Sequence, residues 1–223
     1  MNSVSDNCTK ERLLDAAKKV FAEYGFDETT VRAICARAGV NLAAVNYHFG
    51  GKDKLYLAVL EEFFRLAADK FPLNADIGQN SSSEDKLRAY IRGFLNRLLG
   101  DGDPINEKLG RLLMAELLNP SECFDTIAQR CIHPTYDALY SIVREMLPDT
   151  DAAIVHRCAG SIAGQCLLFD YARGVIQRLR PELALEADSI GSVTDFIAEF
   201  SLGGIARILA EKRSSCSPPN PSA

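Results

Sequence analysis

The sequence predicts an all-α protein: a compact N-terminal set of three short helices followed by a larger helical body. Three observations lead there. Apolar residues recur at the three-to-four-residue spacing of helices along most of the chain. No run alternates polar and apolar residues cleanly enough to demand a strand. Glycine and proline fall between the periodic stretches, where helices have to stop.

From Lys10 to Tyr24, the residues Leu13, Leu14, Ala17, Val20 and Phe21 share one helical face, and Gly25 stands where a C-cap belongs. Thr29 and Thr30 offer N-caps for a second helix that ends at Ala38 and Gly39, with Ile34 and Cys35 facing inward. Asn41 is the N-cap candidate for a third, which the paired glycines Gly50 and Gly51 terminate. From Lys52 the pattern Leu55, Val59, Phe63, Leu66 and Ala67 runs on to Pro72, a helix of about 30 Å at 1.5 Å per residue. The serine-rich stretch 74–85 reads as a loop. Further helical patterns cover 86–99, 105–118, 122–146, 151–179 and 188–212, which makes about nine helices. Pro134 is expected to kink the 122–146 segment, since it lacks an N–H and clashes with the preceding turn. Residues 213–223 read as a disordered tail.

The 47% hydrophobic and 25% charged content belongs to a globular protein, and 223 residues allow one large domain or two small ones. No apolar run approaches the roughly 20 residues that cross a bilayer, and the first residues carry no signal-peptide pattern, so a cytoplasmic protein without a membrane partner is expected. Seven scattered cysteines without a C-x-x-C pair then read as reduced thiols. The net charge of −5 excludes a protein that coats nucleic acid indiscriminately. Its distribution is uneven: residues 1–56 carry a net +1 and the remainder −6, which permits an N-terminal DNA-binding unit on an acidic body.

The second and third helices, joined by a tight turn through Gly39, have the layout of a helix-turn-helix, whose second helix enters the major groove of double-stranded DNA. Ala38 and Gly39 allow close helix approach, and Val40, Val45 and Phe49 can plug the small core beneath. Leu42, Ala43 and Asn46 would then face outward, with Asn46 able to hydrogen-bond adenine and Ala43 small enough to meet a thymine methyl. Thr29, Thr30, Ala38, Gly39, Val40, Tyr47, His48, Phe49, Lys52 and Leu55 form an ordered set at fixed spacing. In that set the segment from residue 9 to 60 resembles the DNA-binding domain of the TetR family. The resemblance implies that Thr30, Tyr47, His48 and Lys52 bind the phosphate backbone, with Asn41 opening the reading helix. Asn46 departs from the family pattern, where many members carry leucine or tyrosine, so the base contacts differ in detail.

Beyond residue 86 the resemblance extends to a CecR-like subgroup through YLAVLEEFF and HRCAGSIAGQCLLFDYARGVI. It implies a DNA-binding domain over 1–51 and a ligand-binding and dimerisation domain over 52–212, in which 52–71 is the connecting helix. It also implies a homodimer closed by the last two long helices. Small residues Ala159, Gly160, Ser161, Ala163 and Gly164 fit such an interface, as does an apolar side of Ile190, Val193, Ile197, Phe200, Ile205, Ile208 and Leu209. A small-molecule effector would bind an apolar cavity drawn from Met114, Phe124, Tyr136, Tyr140, Phe169 and Tyr171, oriented by Arg130, His133, His156, Gln165 or Arg173. The pairs Cys123 with Cys131 and Cys158 with Cys166, each eight residues apart, pose a thiol or metal sensor as the alternative. No cofactor and no resident metal is expected. An enzyme is the remote alternative: the chain has no H-E-x-x-H, P-loop, G-x-G-x-x-G or G-x-S-x-G. The reading is therefore a repressor, with operator, target genes and effector open.

Overall fold

The computed structural model describes residues 3–75, 77–78, 80–100 and 102–215, and among them all regular structure is helical. In order the helices are α1 (Ser3–Glu28), α2 (Val31–Ala38), α3 (Ala43–Phe49), α4 (Lys52–Lys70), α5 (Ser83–Leu99), α6 (Pro104–Leu118), α7 (Phe124–Ile127), α8 (His133–Met146), α9 (Ala152–Tyr171), α10 (Arg173–Leu179) and α11 (Ile190–Ser215). Packing divides the chain into two compact units, one ending its first segment at Lys70 and adding Gly100–Pro134, the other taking Phe71–Leu99 and everything from Thr135. This grouping differs from a sequential division after residue 51.

The first unit shows why. Its core joins Leu13, Ala17, Val20 and Phe21 of α1 to Ile34 and Cys35 of α2, Val45 of α3, and Leu55, Tyr56, Val59 and Leu60 of α4. Leu109 of α6 and Ile127 of α7 close the same core, so these later helices belong with the first four. Helix α1 starts at Ser3, seven residues before the expected start at Lys10, and Gly25, at φ 75°, interrupts it where a C-cap was expected. Thr29 turns inward, its buried Oγ1 donating to the Gly25 carbonyl at 2.6 Å, which leaves the N-cap of α2 to Thr30. Among the described residues one carboxylate is buried: Glu116 accepts from the Tyr56 hydroxyl at 3.2 Å and from the Ser121 N–H at 3.0 Å. Burial pushes the Tyr56 phenol well above its ordinary value, and the neighbouring Glu116 adds to the shift.

Pro134 acts as expected. Between α7 and α8 the chain widens into one π turn, Ala128–Ile132, in which the His133 N–H reaches back five residues to the Ala128 carbonyl. The wider turn moves the backbone away from a ring that would otherwise strike the carbonyl four residues earlier.

In the second unit α5 packs against α9 and α11 over Leu87, Tyr90, Ile91, Leu95, Val155, Ala159, Ile162, Cys166, Ile197, Ala198 and Ile205. Helix α5 starts at Ser83, inside the expected loop, because Ser82 and Asp85 form a reciprocal cap: each backbone N–H bonds the other's side chain at 3.1 Å. Gly93 has no alternative where it sits, since a Cβ there would lie 2.6 Å from the Pro72 carbonyl oxygen. Arg88 on α5 holds α11 through Asp195, at 3.0 Å, and Glu199.

Four expectations about this unit need correction. The 151–179 segment is two helices, broken at Ala172, whose φ of −94° and ψ of 9° leave the helical range. Helix α9 is, by length and composition alone, apolar enough to cross a membrane, contrary to the reading that no such run exists. Of the apolar side expected at the interface, Ile190, Ile197 and Ile205 are buried and Val193, Ile208 and Leu209 pack against them, while Phe200 faces out. The outward apolar residues are Phe196 and Phe200, 69% and 67% exposed. Finally, α11 runs to Ser215, past the expected start of the tail at 213, and the tail from 216 lies outside the described residues.

Candidate nucleic-acid interface

The interface is assembled by a turn that only a few residue types can make. After Ala38 the chain enters the left-handed region at Gly39 (φ 64°, ψ 42°), where a side chain would be strained. The Val40 N–H then bonds the Cys35 carbonyl at 3.1 Å, closing α2. The side chain of Asn41 accepts from the Ala43 N–H at 3.0 Å, an N-cap for a helix that already has helical φ and ψ at Leu42. Val45 is fully buried and Phe49 packs against the core, which fixes the roll of α3. Gly50 ends it, with its N–H on the Val45 and Asn46 carbonyls.

This roll leaves Leu42, Ala43, Asn46 and Tyr47 exposed, with Tyr47 76% open to solvent. Thr30 and Asn41 are exposed beside them. The group supplies a carboxamide that donates and accepts, a phenol, a hydroxyl and apolar methyls, the functions that meet base edges and phosphates. Thr30 Oγ1 accepts from the Ala33 N–H at 3.1 Å, which leaves its own proton to donate outward.

Two further sequence candidates are held by the protein. The His48 side chain is 7% exposed, and its Nε2 lies 3.6 Å from an Asp6 carboxylate oxygen on α1. Lys52 Nζ sits 4.4 Å from the centre of the Phe26 ring and donates to the Asp27 carbonyl at 3.3 Å. Sequence reasoning missed the part α1 plays: Asp6 and Arg12 both reach the reading segment, Arg12 donating to the Ala38 and Gly39 carbonyls. Continuing the helical phase of α1 back past Lys10 would have found Asp6. It also missed the exposed Arg32 on α2 and Lys54 on α4, whose charges belong to the same segment of chain.

The effector candidates fall into both units. Met114, Phe124, Arg130 and His133 lie in the first, where Arg130 pairs with Glu61 at 3.0 Å. Tyr136, Tyr140, His156, Gln165, Phe169 and Arg173 lie in the second. There the Tyr136 hydroxyl is 3.1 Å from His156 Nδ1, and the Tyr140 ring centre is 4.4 Å from that of His156. Gln165 donates to Ser201 at 3.2 Å, and Arg173 to the Leu98 carbonyl at 2.8 Å, while Phe169 packs on the core. Two surface depressions, of about 500 and 350 Å³, are lined by Tyr171, Gly174, Val175, Arg178 and Leu179, and by residues of α1 and α6. Of the eleven candidates only Tyr171 lines either one.

The cysteine pairs are poorly placed for redox chemistry. Burial pushes the Cys131 thiol up to about 11 and Cys166 to about 12, and raises Cys123 and Cys158 as well, so the reactive thiolate is scarce at neutral pH. Among the described residues no three His, Cys, Asp or Glu side chains gather as metal ligands would.

Comparison with known proteins places this geometry. Residues 13–59 match the family described as bacterial regulatory proteins, tetR family, and residues 83–205 match the C-terminal domain of the HTH-type transcriptional dual regulator CecR. The CecR dual regulator of Shigella flexneri is 31% identical over 142 residues, a stretch covering 60% of this chain and 62% of that relative, hence less than two thirds of its length. The transcriptional regulator BetI of Brucella anthropi is 37% identical over 83 residues, 37% of this chain and 41% of that protein. Among solved structures, HlyIIR, a hemolysin II transcriptional regulator, aligns with a TM-score of 0.59 at 22% identity over 85% of this chain and 97% of its own. A transcriptional regulator from Rhodococcus sp. Rha1 aligns at 0.61 and 17% identity over 87% and 96%. These two structures support the fold. With one family matched over the helix-turn-helix and the other over more than half of the chain, the protein belongs to the TetR family of bacterial regulators, with a CecR-type C-terminal domain.

Proposed function

We propose that this protein is a cytoplasmic, homodimeric, sequence-specific DNA-binding repressor that a small-molecule effector releases from its operator. The observation that carries the reading is α3: capped by Asn41, rolled by Val45 and Phe49, and presenting Asn46 and Tyr47 to solvent. A second copy supplies the second reading helix that a palindromic site requires. The surface best suited to hold it is the outward side of α9 and α11, where Phe196 and Phe200 stand exposed and Gly160 and Gly164 have nothing within 4 Å of a built Cβ. An organic effector is favoured over a thiol signal because Cys131 and Cys166 are buried, Cys123 and Cys158 are partly so, and burial raises all four thiols. The test is selection of duplexes from a random-sequence pool, followed by titration of the selected site and its scrambled counterpart across a salt series. Specific recognition predicts preference for the selected palindrome with an affinity that falls steeply as salt rises. Equal affinity for both duplexes would reject it.

A further inference from the structure

We propose that Arg12 is a positioning residue for the reading helix: its guanidinium, carried on α1, clamps the carbonyls that end α2 and so sets the angle at which α3 is presented. The inference rests on the DNA-binding reading of α3 and adds a residue that the helix-turn-helix pattern does not contain.

The last carbonyls of any helix lack intrahelical partners. In α2 the Cys35 and Ala36 carbonyls are taken by the N–H groups of Gly39 and Val40. The Ala38 and Gly39 carbonyls are taken from 26 and 27 residues away: Arg12 donates to the Ala38 oxygen at 2.5 Å and to the Gly39 oxygen at 3.2 Å. A cation is well suited to that place, because it also meets the negative end of the α2 dipole. The turn is cut to admit it. A Cβ at Gly39 would stand 3.0 Å from the same guanidinium nitrogen, so Gly39 provides both the left-handed backbone and the room for the clamp.

The consequence lies downstream. From Gly39 to Asn41 three residues separate α2 from the first helical residue of α3, and Arg12 holds the first of them. With its neighbour Leu13 fully buried, Arg12 projects from a fixed part of α1, so the clamp is referred to the core. Asp6 adds a second tie from α1, to His48 at the far end of α3. The reading helix is thus braced at both ends from one helix, and a preorganised reader avoids part of the cost of ordering on binding.

Arg12→Ala and Arg12→Lys test this with the full-length protein. The probes are a duplex selected by the unsubstituted protein from a random pool and its scrambled counterpart. A clamp predicts that both substitutions weaken the selected duplex about tenfold or more, because lysine keeps the charge but its shorter side chain does not bring one nitrogen to both the Ala38 and Gly39 oxygens, as Arg12 Nη2 does. The scrambled duplex and the slope of affinity against salt should change little. In the free protein, amide exchange at Val40, Asn41 and Ala43 should speed up while exchange in α4 does not. A direct phosphate contact predicts instead that Arg12→Lys is nearly neutral, that Arg12→Ala weakens both duplexes alike, and that the salt slope drops by about 0.9 per contact. That result overturns the proposal, as does unchanged turn exchange, or loss of exchange protection throughout both variants. If the unsubstituted protein shows no preference for its selected duplex, the DNA-binding reading fails, whereas accelerated exchange in the turn still tests the clamp on its own.

Discussion

At the scale of single residues, two hydroxyls on tyrosine rings do opposite work. Tyr47 is 76% exposed and its loss removes little packing, so Tyr47→Ala should leave the melting temperature nearly unchanged and weaken binding to all duplexes, as a phosphate contact would. Asn46→Ala should instead alter the preference among variants of the selected site, because a carboxamide reads a base edge. Titration of both variants against the selected and scrambled duplexes separates the roles. Tyr56 is the converse case: fully buried, it supplies one of the two donors to the Glu116 carboxylate. Tyr56→Phe keeps the ring and orphans a buried acceptor, which should cost about 1–3 kcal/mol in urea denaturation. Glu116→Gln, whose amide oxygen can accept from the Ser121 N–H while its NH2 donates to the Tyr56 hydroxyl oxygen, should cost less. A Tyr56→Phe variant as stable as the parent would show that Glu116 finds another donor.

At the scale of elements, the proposed dimer depends on the outward face of α11. Phe196→Asp with Phe200→Asp places charge on the outward apolar side and touches none of the inward residues, so the doubly substituted protein should fold, sediment as a monomer and lose most of its operator affinity. A folded dimer would relocate the interface. That face was the element the sequence described least well. Helix α11 is apolar on two sides, and periodicity alone does not say which of two stripes meets the body; only the packing of α5 against it settles that Ile197 and Ile205 are inside. The helix-turn-helix was legible almost residue by residue, because Thr30, Gly39, Asn41 and Gly50 are demanded by local backbone geometry. Helix ends set by local chemistry were partly readable: Ser82 and Asp85 spell a capping box that the surrounding serines disguised as loop. The break at Ala172 has no proline or glycine of its own to announce it. The hydrogen bonds from Arg12 to Ala38 and Gly39 depend on tertiary contact and were invisible, whereas the helical phase of α1 pointed to Asp6 without showing its His48 partner.

At the scale of the whole molecule, the buried thiols and phenols tie stability to alkaline pH. Cys131 and Cys166 hold their protons to about 11 and about 12 when folded, against an ordinary value near 9, and burial raises Tyr56 and Tyr90 in the same direction. The folded state therefore binds more protons, so this contribution is complete below about pH 9 and is lost as pH rises through the folded values. The urea midpoint should stay level for these groups through neutral pH and fall above pH 9, and iodoacetamide should reach Cys131 and Cys166 only when the chain unfolds. Rapid alkylation of either in the folded protein would contradict their burial. The chain itself passes between the two units three times, after Lys70, after Leu99 and after Pro134. Each passage has a helix breaker close by: Pro72, then Gly100 and Gly102, then Pro134. During synthesis this order of threading matters. The ribosome delivers the reading helix among the first fifty residues, yet Leu109 and Ile127, which complete the core around α1 and α4, emerge only after the whole of α5. A nascent chain halted at Lys70 holds the side chains proposed to face DNA on an unfinished support. The competence to read DNA should therefore arise late in translation, when the segment through Pro134 has cleared the exit tunnel.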